Sequence, residues 1–168
     1  MTASKRPASI SLAELTALVG QEVGVSRWFA VDQARIDAFA DVTEDHQFIH
    51  VDPDRAKAET PFGTTIAHGF LTLSMLSAMA YDAQPEIVGT RMGVNYGFNK
   101  VRFLSPVLSN ARIRGRFVLK ALELKAADAF DTAWAVTVEI EGQKRPALTA
   151  EWLNRMYLDG PGGNSAAS

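Results

Sequence analysis

The residues of this chain that are best suited to acid-base chemistry lie in one short segment. Two of the three histidines, His46 and His50, stand there beside Asp45. Asp45 and His50 are five positions apart, a spacing of about 140° around a helix that also puts them on opposite faces of a strand. An irregular turn could instead bring both side chains to one point. A carboxylate beside an imidazole can hold a water molecule and move its protons.

The same residues also fit purely structural roles. Asp45 could cap a helix, and His50 could be a loop residue whose hydrogen bonds are satisfied. His46 fits a solvent-facing position or the wall of a pocket. For His68 we expect a hydrogen bond to a backbone carbonyl that shapes a turn, with substrate contact as the alternative. His46 and His50 lack the glutamate context of a zinc-protease helix, so we predict no metal.

Residues 44–52 resemble a motif of the MaoC-like (R)-specific enoyl-CoA hydratases. That motif reads Gly-Asp-x-Asn-Pro-aliphatic-His and continues with an acidic residue. The chain matches it at four positions: Asp45, Ile49, His50 and Asp52. It departs at three, where Glu44, Gln47 and Phe48 take the places of Gly, Asn and Pro. The aromatic residue before Ile-His resembles the pattern of nodulation-protein-N-like members. We expect the three departures to affect substrate preference more than catalysis.

Two further segments resemble the same family. Residues 66–71, Ile-Ala-His-Gly-Phe-Leu, resemble the Ala-His-Gly-(Met or Phe)-Leu segment that opens the central helix. The resemblance implies that the Gly69 N–H polarises a thioester carbonyl and that Ser77 supports the catalytic pair. The structural alternatives are close backbone packing at Gly69 and a Ser77 hydroxyl bonded to its own helix. Residues 95–107 resemble the family's strand ending in Arg-Phe-x-x-Pro-Val, or are a core strand before a proline turn.

The resemblance implies a fold and an activity. The fold is an α+β hot-dog fold, an antiparallel sheet wrapped around a central apolar helix. The activity is addition of water to trans-2-enoyl-CoA to give (R)-3-hydroxyacyl-CoA, with Asp45 and His50 as the catalytic pair and Gly69 and Ser77 binding the thioester. The carrier is coenzyme A or acyl carrier protein, there is no further cofactor, and the chain forms a homodimer. The alternatives are a hot-dog thioesterase and a non-catalytic acyl-binding or subunit module.

The elements that must position these residues can be predicted from local patterns. Ser11 with Glu14 forms a capping box before a short helix, Asp32 can cap a second helix, and Asp52 can cap a third that begins with Pro53. Residues 23–31 have strand composition, and residues 65–81 form an apolar helix. Four strands then follow, at 91–103, 111–125, 132–141 and 147–157. We expect one domain over residues 10–158, with flexible ends at 1–9 and 159–168.

Composition limits the possible partners. The chain has 168 residues, 47% of them hydrophobic, with 17 basic and 19 acidic residues and no cysteine. A net charge of -2 provides no overall field for nucleic acid or an anionic membrane. We expect no membrane span, because the most apolar stretch, residues 66–81, contains polar residues and is shorter than the ~20 residues that a span needs. We expect a cytoplasmic location, because no uninterrupted apolar stretch follows the first basic residues. Arg112, Arg114 and Arg116 share one strand face, which is either a solvated face or a surface for the phosphates of coenzyme A.

Overall fold

The computed structural model describes residues 8–159, which form helices and one sheet. The helices are α1 Leu12–Ala17, α2 Gln33–Thr43, α3 Phe48–Val51, α4 Pro53–Glu59, α5 Gly69–Ser74 and α6 Leu76–Ala83. The strands are β1 Glu22–Val25, β2 Phe29–Val31, β3 Thr90–Phe103, β4 Ala111–Ala126, β5 Ala129–Ile140 and β6 Leu148–Leu158. The predicted flexible ends lie mostly outside the described residues, at 1–7 and 160–168.

The six strands form one antiparallel sheet in the order β1-β4-β5-β6-β3, and β2 also pairs with β4. The strands β4 and β5 form a long hairpin that runs from Ile113 opposite Ile140 to Ala126 opposite Ala129. The edge strand β3 pairs along its length with β6. Helices α5 and α6 follow one another across the buried face, so the predicted α+β class is confirmed.

Alternation in β5 decides which face of the sheet packs on the helix. Trp134, Val136, Val138 and Ile140 are buried, while the residues between them are partly exposed. They join a core in which Met79 of α6 is fully buried. Because successive strand side chains point to opposite faces, this pattern fixes the register of β5 against the helix.

The structure differs from the predicted elements at several places, and the single apolar helix predicted over 65–81 is two helices, α5 and α6, that meet at Met75. The strand predicted at 23–31 is two strands, because the Ser26 hydroxyl accepts from the Gly115 N–H at 3.0 Å and the Ser26 N–H donates to the Gly115 carbonyl at 2.9 Å. The apolar helix begins at Gly69, four residues later than predicted. Ile66 bridges to Leu108 and the Ala67 N–H donates to Val107, so this segment is extended.

The predicted helix caps are confirmed. Ser11 and Glu14 form the full capping box of α1. The Asp32 carboxylate accepts from the Arg35 N–H at 2.9 Å, and the Asp52 carboxylate accepts from the Arg55 N–H at 3.0 Å. These bonds satisfy backbone donors that would otherwise have no partner within the helix. The Asp52 cap also fixes the start of α4 directly behind the helix that carries His50.

Candidate active site

The segment between α2 and α4 makes the irregular turn that the spacing of Asp45 and His50 requires. Helix α2 ends at Thr43, and Glu44 then adopts a left-handed conformation with φ 60° and ψ 19°. Asp45 follows in irregular backbone, and His50 stands on the single turn of α3. Asp45, His50 and His68 each offer a polar atom within 4.8 Å of the others.

The hydrogen bond of the His50 ring determines its tautomer. Its Nδ1 lies 2.7 Å from the carbonyl oxygen of Ile66. Since a carbonyl only accepts, the ring hydrogen stands on Nδ1, which leaves Nε2 as the basic nitrogen. The backbone is held as well, because Gln33 Nε2 donates to the His50 carbonyl at 2.7 Å and the Ile66 N–H donates to Ile49 at 3.0 Å.

The surroundings of His50 favour its neutral form. The residue is only 7% exposed, and this burial is the main cause that lowers its pKa below the usual 6.5. The bond to the Ile66 carbonyl opposes this effect and raises the pKa. Among the titratable neighbours, His68 lowers the pKa of His50 and Asp45 raises it. A neutral ring with a bare Nε2 can accept a proton near neutral pH.

The Asp45 carboxylate is open to solvent and caps no helix. Its side chain is 55% exposed, and Oδ1 is 3.5 Å from the Gln47 N–H, at the limit of a hydrogen bond. The residue at the N-cap of α3 is Gln47, which makes no side-chain cap bond. The capping alternative for Asp45 is therefore wrong, and both of its oxygens remain able to accept from water.

His68 lies directly against His50. Its Nε2 is 2.9 Å from the Asp45 carbonyl oxygen, so the expected bond to a backbone carbonyl is confirmed. The rings of His50 and His68 stack with centroids 3.7 Å apart and planes 26° apart, and the Phe39 ring also packs on His68, with centroids 5.1 Å apart. The sequence pattern did not indicate this stacking, because 18 residues separate the two histidines.

Stacking also bears on whether these three residues could hold a metal ion. Ring-nitrogen lone pairs lie in the plane of each imidazole, so two stacked rings do not aim them at a common centre. In addition, Nδ1 of His50 and Nε2 of His68 each face a backbone carbonyl. The group is better arranged to handle protons than to coordinate a cation.

Gly69 and His50 line the same cavity, which has a volume of about 280 Å³. Gly69 is the first residue of α5, where the N–H has no partner within its own helix. The ring of Phe103 lies 3.1 Å from where a Cβ would stand on Gly69, so close packing accompanies the free donor. Ser77 instead is exposed and lines a second cavity of about 560 Å³, together with Trp134 and Trp152.

The three departures from the motif occupy positions with clear backbone requirements. Glu44 replaces a glycine where the backbone is left-handed, a conformation that glycine adopts without strain. Gln47 replaces an asparagine at the N-cap of α3, where asparagine caps well. Phe48 replaces a proline at the first helical residue, a position that proline favours, and the Arg55 guanidinium lies 4.0 Å above its ring. The departures therefore concern the local backbone of the turn, and the Asp45 and His50 side chains still lie close together.

The arginines of β4 are paired with acidic neighbours. Arg112 bonds to Glu141, Arg114 to Glu139 at 2.6 Å, and Arg116 to Glu22 at 2.7 Å. This is the behaviour of a solvated charged face, and it leaves the guanidinium groups already engaged by carboxylates. Among residues 8–159, no helix is long and apolar enough to cross a membrane.

An antiparallel sheet around a helix that starts at Gly69, with Asp45 and His50 at its entrance, defines a hot-dog-fold protein. Solved structures share this fold: a MaoC-like dehydratase from Rhodospirillum rubrum (TM-score 0.72, 18% identity, 90% of this chain and 99% of that chain) and an (R)-hydratase from A. caviae (TM-score 0.61, 24% identity, 81% and 94%). Residues 14–140 match the family model described as MaoC like domain. The chain belongs to the MaoC-like dehydratase family, which includes hydro-lyases.

Curated relatives cover most of the chain. Nodulation protein N of Rhizobium meliloti (strain 1021) is 56% identical over 144 residues, which are 86% of this chain and 89% of that protein. 3-Hydroxyacyl-thioester dehydratase Z of Mycobacterium tuberculosis (strain ATCC 25618 / H37Rv) is 43% identical over 145 residues, or 86% and 95%. The resemblance to the family, including the nodulation-protein-N-like group, is therefore confirmed.

Proposed function

We propose that this chain is a hydro-lyase that adds water to trans-2-enoyl thioesters, giving (R)-3-hydroxyacyl thioesters, and that it also catalyses the reverse dehydration. The observation that carries the proposal is the His50 ring, which lies close to the Asp45 carboxylate and whose bond to the Ile66 carbonyl leaves Nε2 as its basic nitrogen. The thioester class is supported by the related 3-hydroxyacyl-thioester dehydratase. The (R) hand is what membership of the family implies.

In the proposed reaction one water molecule bridges the catalytic pair. A separation of up to 4.8 Å between Asp45 and His50 suits one water with hydrogen bonds of about 2.8 Å to each. The water oxygen forms a bond to C3 while His50 Nε2 accepts its proton. The C2–C3 π electrons move to C2 and the thioester oxygen, and the pair then returns a proton to C2.

The remaining site residues act on the thioester. The Gly69 N–H donates to the thioester oxygen and stabilises the enolate charge that develops as C3 is attacked. Ser77, on the second cavity, is proposed to contact the substrate, and its location there supports contact with the acyl part more than with the catalytic pair. The proposed scheme uses no metal ion. Coenzyme A or acyl carrier protein is part of the substrate and is therefore not counted as a cofactor.

The test is a panel of crotonyl, octenoyl and dodecenoyl thioesters assayed by loss of the enoyl ultraviolet absorbance. Asp45→Asn and His50→Gln should each lower kcat by on the order of 10² to 10⁴, the usual contribution of a positioned acid or base. His46→Gln is the matched control, because this exposed histidine lies between the two and should keep the wild-type rate.

The other outcomes identify the alternatives. Release of free thiol from acyl-CoA would indicate a thioesterase, and binding without turnover at any chain length would indicate an acyl-binding module. Wild-type hydration by both Asp45→Asn and His50→Gln would overturn the mechanism. A cytoplasmic location remains a prediction, which fractionation of cells that express the chain would test.

We also propose that the working unit is a homodimer formed through β3. Its backbone pairs with β6 along one edge, and no strand of residues 8–159 covers the other. Met92, Val94 and Tyr96 are each between 45% and 59% exposed on this strand. An unprotected edge of 14 residues with exposed apolar side chains favours pairing with a second copy.

A further inference from the structure

The proposed reaction leaves one buried titratable residue unused. His68 is 3% exposed, lies at the N-cap of α5, and makes no side-chain bond to its own helix. Within residues 8–159, the only polar contact of hydrogen-bond length that its ring makes reaches 23 positions back, to the Asp45 carbonyl at 2.9 Å. The ring is therefore tied to the turn that carries the catalytic carboxylate.

Burying this imidazole has a cost that packing alone does not explain. Since a carbonyl only accepts, the ring hydrogen stands on Nε2, and Nδ1 is a bare acceptor with no partner among the described residues. A buried polar atom without a partner costs about 1–3 kcal/mol. Phenylalanine could pack against Phe39 and His50 without that cost. What phenylalanine could not supply is the Nε2–H donor to Asp45.

The turn has few bonds of its own to hold Asp45. Helix α2 ends in the left-handed Glu44, and the bond between the Gln47 N–H and Asp45 is 3.5 Å long. The Asp45 side chain is 55% exposed, so packing does not fix it either. In contrast, His68 directly precedes Gly69 at the start of α5, and its ring stacks on that of His50.

We propose that His68 is a positioning residue that sets the distance between the catalytic pair and the thioester-binding donor. Its Nε2–H holds the Asp45 carbonyl, its face supports the His50 ring, and its backbone leads directly into Gly69. One side chain thus connects the three groups that must meet the substrate. This inference rests on the proposed function for its effect on rate, but its geometry can be measured without turnover.

The kinetic test compares three substitutions that separate the donor from the ring. In His68→Gln the side-chain amide nitrogen can reach the place of Nε2, in His68→Asn it reaches only that of Nδ1, and His68→Phe keeps a ring but has no donor. We expect His68→Gln, which keeps the donor but loses the stacked ring, to lose clearly less activity than the other two. His68→Asn and His68→Phe should lose on the order of 10²-fold in kcat, because a misplacement of about 1 Å has that effect, with KM changed much less.

A second measurement does not depend on activity. In the wild-type protein, ¹⁵N shifts of the imidazole nitrogens should show hydrogen on Nε2 of His68 and on Nδ1 of His50. Amide hydrogen exchange at residues 45–47 should accelerate in His68→Phe and stay slow in His68→Gln. If the wild-type protein hydrates no thioester but these results hold, the proposed function fails and the positioning role of His68 stands.

Two results would overturn the inference. One is a wild-type kcat in both His68→Asn and His68→Phe. The other is hydrogen on Nδ1 of His68 in the wild-type protein, which would remove the donor to Asp45. The second result needs no variant, so it remains decisive even where a substitution at this buried position prevents folding.

Discussion

At the scale of single residues, the site depends on hydrogen bonds to backbone carbonyls. The Ile66 carbonyl sets the tautomer of His50, and the Asp45 carbonyl sets that of His68. Carbonyls do not titrate and only accept, so in each neutral ring the hydrogen stays on the nitrogen that faces the carbonyl. If His50 is the base, as proposed, the Ile66 carbonyl takes the place of the carboxylate that orients the base in other enzymes.

The burial of His50 predicts a pH dependence of activity. Burial lowers its pKa below 6.5, and protonation would occupy the Nε2 that must accept a proton from water. We therefore expect kcat/KM to rise with pH through this lowered pKa and to level off before neutrality. The pH profile measures this, and an activity that increases on acidification from neutrality would contradict it.

The same burial predicts a loss of stability in acid. The unfolded chain binds a proton at His50 at a higher pH than the folded protein does, so the free energy of unfolding should fall as pH drops below about 6.5. Urea denaturation of the wild type and His50→Gln over this range isolates the contribution. An equal slope in both proteins would show that His50 is not its source.

The Gly69 donor can be deleted without a change in helix register. Gly69 is the first residue of α5, a position that tolerates proline, and His68 has φ -56° and ψ 137°, which suits the residue before proline. Gly69→Pro removes the N–H, whereas Gly69→Ala keeps it and adds a Cβ against Phe103. We expect kcat to be 10²- to 10³-fold lower in Gly69→Pro than in Gly69→Ala, as for loss of an oxyanion donor. Equal rates would exclude this N–H from the reaction.

At the scale of elements, the turn between α2 and α3 contains residues that are poorly suited to its backbone conformation. The backbone at Glu44 is left-handed with φ 60°, Gln47 caps nothing, and α3 is a single turn. The family motif places glycine, asparagine and proline at these positions, each suited to the local backbone. In this chain the turn is also held by the bond from Gln33 to the His50 carbonyl, and Asp52, which matches the motif, caps the helix that follows.

Replacing Glu44 should therefore stabilise the protein. Glu44→Gly relieves a left-handed conformation, and we expect the free energy of unfolding to rise by about 0.5–1 kcal/mol, measured by urea denaturation. Asn110→Gly is the matched control, because Asn110 also has a positive φ of 68° but asparagine tolerates it better. The gain at position 44 should exceed that at 110, and a loss of stability at 44 would contradict the account.

At the scale of the whole molecule, the open edge of β3 predicts the oligomeric state. Size exclusion with light scattering should give a mass near twice 18.3 kDa. Val94→Lys places a charge on the edge strand and should shift the equilibrium towards the monomer. Val19→Lys is the matched control, because Val19 is similarly exposed, at 42% compared with 45%, and lies outside β3. A wild-type protein that is strictly monomeric would refute the dimer.

The sequence by itself determined the features that depend on neighbours along the chain. The caps at Ser11, Asp32 and Asp52 and the alternation of β5 were predictable, because a cap and a strand face involve residues a few positions apart. The motif also selected Asp45 and His50, although spacing alone left a structural role open. The family resemblance, more than periodicity, singled out Gly69.

Only the tertiary structure decided what lies beside these residues. The stacking of His68 on His50, the delayed start of the helix at Gly69 and the location of Ser77 on a second cavity all depend on contacts between segments distant in sequence. The pairing of residues 66–67 with 107–108, for example, overrides an apolar pattern that favours helix. Such contacts form where packing and backbone hydrogen bonds of the whole fold are satisfied together, and local propensity does not encode them.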